Sequence, residues 1–361
     1  MSAQSPSLDI FCRVIDNFGD AGVCGRLARQ WSLEIGAKVR LFIDAPDVLQ
    51  IILPPPHSFD VILWDESIEY PYAADMVIEA FACSLPESVI LSMKNRPIPS
   101  VWVDLEYLSA ENWVERFHAI PSLHPLTGLA KTVFFPGFTH RTGGLIQENG
   151  IFSRRNAFIA DINEQDRWRR DHFLPEIDKN AIDISFFCYK TAPRVEFLEK
   201  MATYHRPVRV FCPEKRADVY VSTSGNLTVI RMPFVPQEDY DLLCWTSDLN
   251  FVRGEDSFVR AQFSGKPLIW NIYAQDENTH LVKLQAFLAH YLPFFGENGR
   301  DLLAQAHILW NEGCRNRGDI WHHLLDSLPI LTEGSGRWAD NCASHASLTA
   351  NLLKFFKEQT K

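Results

Sequence analysis

Several familiar routes to function are missing from these 361 residues. There is no Gly-Lys-Ser/Thr phosphate loop and no G-x-S-x-G elbow, which excludes P-loop nucleotide hydrolysis and the α/β-hydrolase reaction as readings. The eight cysteines are scattered. None forms a C-x-x-C pair, and most sit inside apolar runs such as "IFCRVI", "FFCYK" and "RVFCPE". They read as buried free thiols of a reducing compartment, not as disulfides or zinc ligands. His118 with His124, and the adjacent His322 and His323, lack metal-ligand spacing. A basic excess is also missing: 35 Lys and Arg stand against 45 Asp and Glu, a net charge of −10. Without a basic face, nucleic acid is not an expected partner, although a local pocket for one small anion stays open. No apolar segment is long enough to cross a bilayer, so no membrane is expected. The opening "MSAQSPSLDIF" lacks the basic and apolar regions of a secretory signal, which makes the cytoplasm the expected location. No internal repeat or low-complexity tract is visible.

What the chain does have is apolar content of 46%, with 25 Phe and 10 Trp. At roughly 100–200 residues per domain, it is expected to build about two domains, each with its own aromatic-rich core. Leu8–Ile15 reads as a buried strand. The run Ala21–Glu34 reads as a helix with Val23, Leu27, Trp31 and Ile35 on one face and Gly36 as its stop. Strands follow at Lys38–Asp44, Asp60–Trp64, Met76–Phe81 and Ser100–Leu105, with helices at Pro86–Lys94 and Ala110–Phe117. The polar, charged span Arg141–Leu174 holds the expected domain boundary. A second alternating series comes next, with strands at Ile182–Cys188, Pro207–Cys212, Leu227–Phe234, Leu249–Val252 and Pro267–Ile272. Its helices are Pro193–Tyr204, Glu238–Trp245, Asp256–Phe263 and Asn278–His290, and the chain is helical again from Gly299. Such alternation implies α/β architecture with two parallel, doubly wound sheets. In these sheets ligands bind beyond the carboxyl ends of the strands, so the loops leaving those ends are where chemistry is sought.

Two such loops stand out. The first is "VIDNFGDAGVCGRLARQ", where Gly19, Gly22 and Gly25 recur every third residue and read as a loop that a ligand approaches closely. It is not G-x-G-x-x-G. Asp44, about 20 residues on, nevertheless stands where a dinucleotide fingerprint puts its ribose-binding acid, and this keeps an NAD-dependent oxidoreductase as one alternative. Asp16 and Asp20 lie in this loop, where one carboxylate can orient a substrate and the other accept a proton. The plainer reading is a helix cap at Asp20 and an Asx-turn at Asp16. The second loop, "RGEDSFVRAQFSG", has Gly254 for a turn, Asp256 or Ser257 as helix cap, and Arg253 as a permanent charge suited to phosphate. Its helix amides add to an anion site, and Glu255 suits ribose hydroxyls. An ordinary capping box explains the same residues. Phe187 and Tyr189 in "SFFCYK", and Tyr273, Gln275 and His280 in "NIYAQDENTH", follow neighbouring strands. The two aromatics of the former could stack on a base, although core packing is their commoner fate.

"FCRVIDNFGDAGVCGRLARQ", "FVRGEDSFVRAQFSGKPLIWNIY" and "DENTHLVKLQAFL", with "EYLSAENWVERF" and "FFPGFT", make the chain resemble the bacterial elongation factor P arginine rhamnosyltransferases (EarP) over most of its length. Gly25 departs from the pattern, since a bulky residue is expected there. The resemblance implies a GT-B fold: two facing Rossmann-like domains, residues 1–160 on the acceptor side and 161–340 on the donor side, with a C-terminal helix, 341–361, crossing back to the first. It implies inverting, metal-independent transfer of L-rhamnose from dTDP-β-L-rhamnose to an arginine of elongation factor P, which supports translation of polyproline stretches; no cofactor is expected. Carried over residue by residue, it makes Asp20 the general base and Asp16 its partner, with Asn17, Phe18 and Gly19 supplying loop backbone. The donor pocket falls on Phe187, Tyr189, Phe251, Arg253, Glu255, Asp256, Ser257, Tyr273 and Gln275. A non-catalytic nucleotide-sugar binding protein is the other alternative.

Overall fold

The computed structural model describes all residues except 1–4, 16–17, 66–69, 71, 216–217, 275–277 and 314–318. The chain divides into two compact units, residues 1–149 with 345–361, and residues 150–344. The first break therefore falls eleven residues before the expected 160, ahead of a helix that belongs to the second unit.

In the first unit the order is β1 (Leu8–Cys12), α1 (Phe18–Gln30), β2 (Val39–Ile43), α2 (Pro46–Ile52), β3 (Asp60–Leu63), β4 (Met76–Ala80), α3 (Glu87–Lys94), β5 (Val101–Leu105), α4 (Val114–Phe117), β6 (Pro121–Leu123) and β7 (Ala130–Phe134). The strands align as β3-β2-β1-β4-β5-β7-β6, with only β6 antiparallel to its neighbour. Strands β1, β2 and β4 are buried along their whole length, as expected when both faces of a parallel sheet are covered. The strand period sends Ile10, Leu41, Ile78 and Val103 to one face, against Leu27 and Trp31 of the α1 segment. The alternate residues Phe11, Phe42, Val77 and Trp102 go to the other, against Val89, Ile90 and Met93 of α3.

The second unit contains α5 (Ile151–Ala160), α6 (Ile162–Asp171), β8 (Ile182–Phe186), α7 (Arg194–Ala202), β9 (Val208–Glu214), β10 (Tyr220–Ser224), β11 (Leu227–Pro233), α8 (Gln237–Thr246), β12 (Leu249–Arg253), α9 (Asp256–Gln262), β13 (Leu268–Asn271), α10 (Thr279–Tyr291), α11 (Glu297–Glu312), α12 (Ile320–Asp326) and α13 (Leu328–Ala343). Its sheet order is β10-β11-β9-β8-β12-β13. With the antiparallel edge strand β10 set aside, both sheets have the order 3-2-1-4-5 of a Rossmann fold. Each reverses direction beside its first strand, at β1/β4 and at β8/β12. The last helix, α14 (Leu348–Gln359), belongs to the first unit. There Leu348, Leu352 and Phe355 complete the core face that carries α1.

Several elements differ from the sequence reading. Helix α1 begins at Phe18, not Ala21, and takes in Gly19 and Gly22 as well as Gly25. The glycines therefore form no ligand loop. At Gly25 the reason is packing: a Cβ there would lie 2.6 Å from Leu49 Cδ1 of α2, so the missing side chain lets α2 lie close to α1. The expected helix Ala110–Phe117 shrinks to the single turn α4. Strands β6 and β10 are mostly exposed edges with no apolar run to announce them. The polar linker span is ordered as α5 and α6, the latter capped by Asp161, whose side chain accepts from the Asn163 and Glu164 amides.

Candidate functional site

In the first unit, the chain leaving β1 at the sheet's reversal point leads into α1. Asp20 lies within the first helical turn, not in the cap position. Its side chain is almost wholly buried, at 1% exposure, and Oδ2 accepts a hydrogen bond from the Ile15 amide at 2.7 Å. This bond fixes the orientation of the carboxylate at the start of α1. Phe18 and Gly19 are half-buried. Asp16 and Asn17 lie outside the described residues. Asp44 does not point to a dinucleotide: its Oδ1 accepts from the Val14 amide at 2.9 Å and so braces the turn after β1. With the glycine loop folded as helix, both features that favoured a nicotinamide enzyme have structural explanations. A thiol nucleophile is also disfavoured here. Burial pushes the Cys24 thiol well up, and Cys12 and Asp20 beside it add to the shift.

In the second unit, Arg253 ends β12 at the other reversal point. Its guanidinium lies over the Phe187 ring at 4.2 Å and the Tyr189 ring at 5.0 Å from the centroids. These contacts hold a flat cation in place without using its N–H donors. Among the described residues, Arg253 makes no side-chain hydrogen bond or ion pair. Its backbone is fixed twice by Ser257, whose hydroxyl accepts from the Arg253 amide at 3.1 Å and donates to the Arg253 carbonyl at 2.5 Å. Gly254 turns the chain at φ +60°, and its carbonyl accepts from Trp270 Nε1 at 3.0 Å. The Tyr189 amide donates to Asn271 Oδ1 at 2.8 Å, and the Tyr189 ring meets Tyr273 edge-on at 5.6 Å. Tyr273 is 60% exposed. The result is an accessible aromatic surface beside a cation whose donors are uncommitted, which suits a base stacked next to an anionic group.

Other expected residues behave differently. Phe251 is fully buried among Phe186, Phe197 and Trp310, so it packs the core beneath the site and offers no stacking face. Asp256 does not cap α9. Its Oδ2 accepts from Gln237 at 2.9 Å and Arg260 at 3.1 Å, and Arg260 in turn pairs with buried Asp241. That engagement makes Asp256 a structural acid. Glu255 holds the cap position of α9 without a side-chain cap bond. His280 is buried, and Gln275 lies outside the described residues. Asn271 and Asn311 were not legible in advance. Asn311 accepts from the Ile272 amide at 3.0 Å and donates to the Trp270 carbonyl at 2.8 Å, and so fixes the end of β13. Two asparagines in or beside apolar runs carry no sequence signal for such a role.

The seven described cysteines are free. His118 is half-buried and its Nδ1 accepts from the Phe135 amide, and His322 bonds Asp319 and the Lys200 carbonyl. Among the described residues, no group of three or more His, Cys, Asp or Glu side chains could hold a metal ion. No helix is long and apolar enough to cross a membrane.

The profile of the elongation factor P (EF-P) rhamnosyltransferase family EarP matches residues 8–357. A protein-arginine rhamnosyltransferase of Pseudomonas aeruginosa is 40% identical, over 98% of this chain and 99% of its own. One of Neisseria meningitidis is 34% identical, over 98% and 97%. The fold superposes with TM-score 0.71 and 28% identity on a structure solved to explain EarP-mediated arginine glycosylation of translation elongation factor EF-P, covering 98% of this chain and 99% of that one. The spinosyn rhamnosyltransferase SpnG, at TM-score 0.52 and 12% identity over 97% and 99% of the two chains, shares the fold alone.

Proposed function

The chain belongs to the EF-P rhamnosyltransferase family EarP, a family of GT-B glycosyltransferases, and we propose that it transfers L-rhamnose from dTDP-β-L-rhamnose to one arginine side chain of elongation factor P, with inversion at the anomeric carbon. The observation that carries the donor half is Arg253: a cation held flat over Phe187 and Tyr189, with its donors unspent, at the reversal point of a Rossmann sheet. The thymine stacks on the Tyr189–Tyr273 surface and Arg253 meets the diphosphate.

In the reaction the anomeric C–O bond to diphosphate breaks as a C–N bond to the guanidinium forms. A guanidinium is protonated and delocalised, with a pKa above about 12, so it is a poor nucleophile and too weak an acid for aspartate to deprotonate in advance. Proton loss therefore accompanies or follows attack, as charge builds on the nitrogen, and Asp20 receives the proton. The Ile15 amide holds that carboxylate in orientation. Asp16 acts as partner in holding the guanidinium. The leaving dTDP carries the bonding electron pair, and Arg253 stabilises its added charge. Because Arg253 supplies this cation, the rate is expected to be unchanged by a chelator.

The test is intact-mass analysis of EF-P after incubation with enzyme and dTDP-β-L-rhamnose. The wild type should add one deoxyhexose. Asp20→Asn should slow turnover by about 10²–10⁴-fold while leaving donor affinity near wild type. Normal turnover in that variant would remove Asp20 from the base role, and an unmodified acceptor with wild-type enzyme would refute the reaction.

A further inference from the structure

The carboxyl edge of the first sheet carries more acid than the reaction above uses. Glu79 is the last residue but one of β4 and Asp104 the last but one of β5, and Glu106 follows that strand. Glu79 and Asp104 are 3% and 6% exposed, and Glu106 is half-buried. One cation serves them: Lys131 of β7, 2.8 Å from Asp104 Oδ2 and 3.5 Å from Glu79 Oε2. Three carboxylates against one ammonium leave two negative charges, with no second cation within ion-pair distance among the described residues. Trp102 Nε1 and the Ser84 amide donate to Glu79. The other oxygen of Asp104, Oδ1, is buried without any hydrogen-bond partner, which a folded protein tolerates at a desolvation cost that a ligand can relieve. Burial, with the Asp104 charge, raises both Glu79 and Glu106 above the usual carboxylate range. Beside the cluster opens a cavity of about 270 Å³ lined by Glu79, Lys131, Trp102 and Leu123. At its mouth Leu123 is 72% exposed, and Leu126, on the same hairpin, 81%.

We propose that the Glu79–Asp104–Glu106 cluster receives a cationic side chain, guanidinium or ammonium, of the acceptor protein. Excess negative charge in a partly desolvated recess selects an organic cation, and the exposed leucines at its mouth favour one carried on a protein surface over a free ion. Parallel strands lie about 4.8 Å apart, so the end of β5, from which Glu106 follows, is on the order of 10 Å along the sheet edge from the end of β1, where the chain turns toward Asp20. That is within reach of neighbouring side chains of one bound loop. This inference rests on the acceptor reading above; Glu106 is a specificity residue, not a catalytic one.

The experiment compares wild type with Glu106→Gln, a half-buried position where the fold should survive, as an unchanged melting temperature would verify. Steady-state transfer to EF-P should show KM for EF-P raised about tenfold, the loss of one charge-assisted contact, with kcat and donor KM unchanged. The salt dependence of that KM should become shallower, a change that a merely structural role would not produce. Replacing, one at a time, the arginines and lysines near the modified arginine of EF-P identifies the occupant: the right one abolishes the difference between wild type and Glu106→Gln. An unchanged KM for EF-P, or an effect confined to kcat or to the donor, would overturn the proposal. Calorimetric binding of EF-P to both enzymes without donor separates the outcomes, because it can show or deny this contact even if no sugar is transferred.

Discussion

At the scale of single residues, what matters is which charged groups are already spent. Asp256 and Arg253 sit three positions apart in one loop, and both are the right type for a donor site. Asp256 is committed to Gln237 and Arg260, whereas the Arg253 guanidinium lies against ring faces and, among the described residues, has no hydrogen-bond or ion-pair partner. Arg253→Ala is therefore expected to weaken dTDP binding by about 10–100-fold in a calorimetric titration, as loss of a charge-assisted contact predicts. Arg253→Lys should recover only part of this, because an ammonium keeps the charge but lacks the planar fork that lies over Phe187. Affinity unchanged in Arg253→Ala would place the diphosphate elsewhere. The sequence singled out Arg253 and Asp20 through their position after strands. It could not separate Asp256 or Phe251 from them, since residue type does not reveal whether a side chain is already paired or buried.

At the scale of elements, α14 shows how a distant segment completes a fold. Leu348 and Leu352 are fully buried in the first unit's core, and the Phe355 ring lies 5.5 Å from that of Phe134. Thr349 donates to Gln30 at 2.7 Å, and the Leu348 amide to the Leu145 carbonyl at 2.8 Å. Truncation of Leu352 to alanine should cost about 2–5 kcal/mol and lower the melting transition of the first unit in calorimetry, with that of the second unchanged. A wild-type transition would mean that the helix rests on the unit without holding it. Helix α1, adjoining this core, was legible from its apolar face, and the helical turn Trp31–Ile35 that continues it from the Gly36 stop, which adopts the left-handed conformation at φ +69°. The first turn of α1 was not legible, because the poor helix propensity of Gly19 and Gly22 masked the start.

At the scale of the whole molecule, each unit holds a histidine kept neutral by its surroundings, half-buried His118 in the first and fully buried His307 in the second. Burial lowers His118 in the first unit and His307 in the second from an ordinary 6.5 to about 4. His118 Nδ1 accepts from the Phe135 amide at 3.1 Å, a bond that protonation would break, and His307 Nε2 is buried without a partner for a proton. With the folded pKa below the unfolded one, their contribution is fully present above pH 6.5 and is lost as pH falls toward 4. Glu79, Glu106 and Asp248, all raised, act in the opposite sense and soften the fall. Thermal scans across that range should show a declining melting temperature for wild type. The decline should be shallower in His118→Asn, which keeps an acceptor for the Phe135 amide but does not titrate. Equal slopes would leave His118 without a part in acid sensitivity.

By itself the sequence determined the α/β class, most strands and helices of two sheets, and the two strand ends where chemistry belongs, because apolar periodicity and punctuation are local properties of the chain. Only the tertiary structure decided that Gly25 of α1 is a packing device, that Phe251 and Asp256 are committed inward, and that Glu79, Asp104 and Glu106 gather around a single lysine. Those facts depend on which side chains meet between elements, and burial and pairing exist only once those elements pack together.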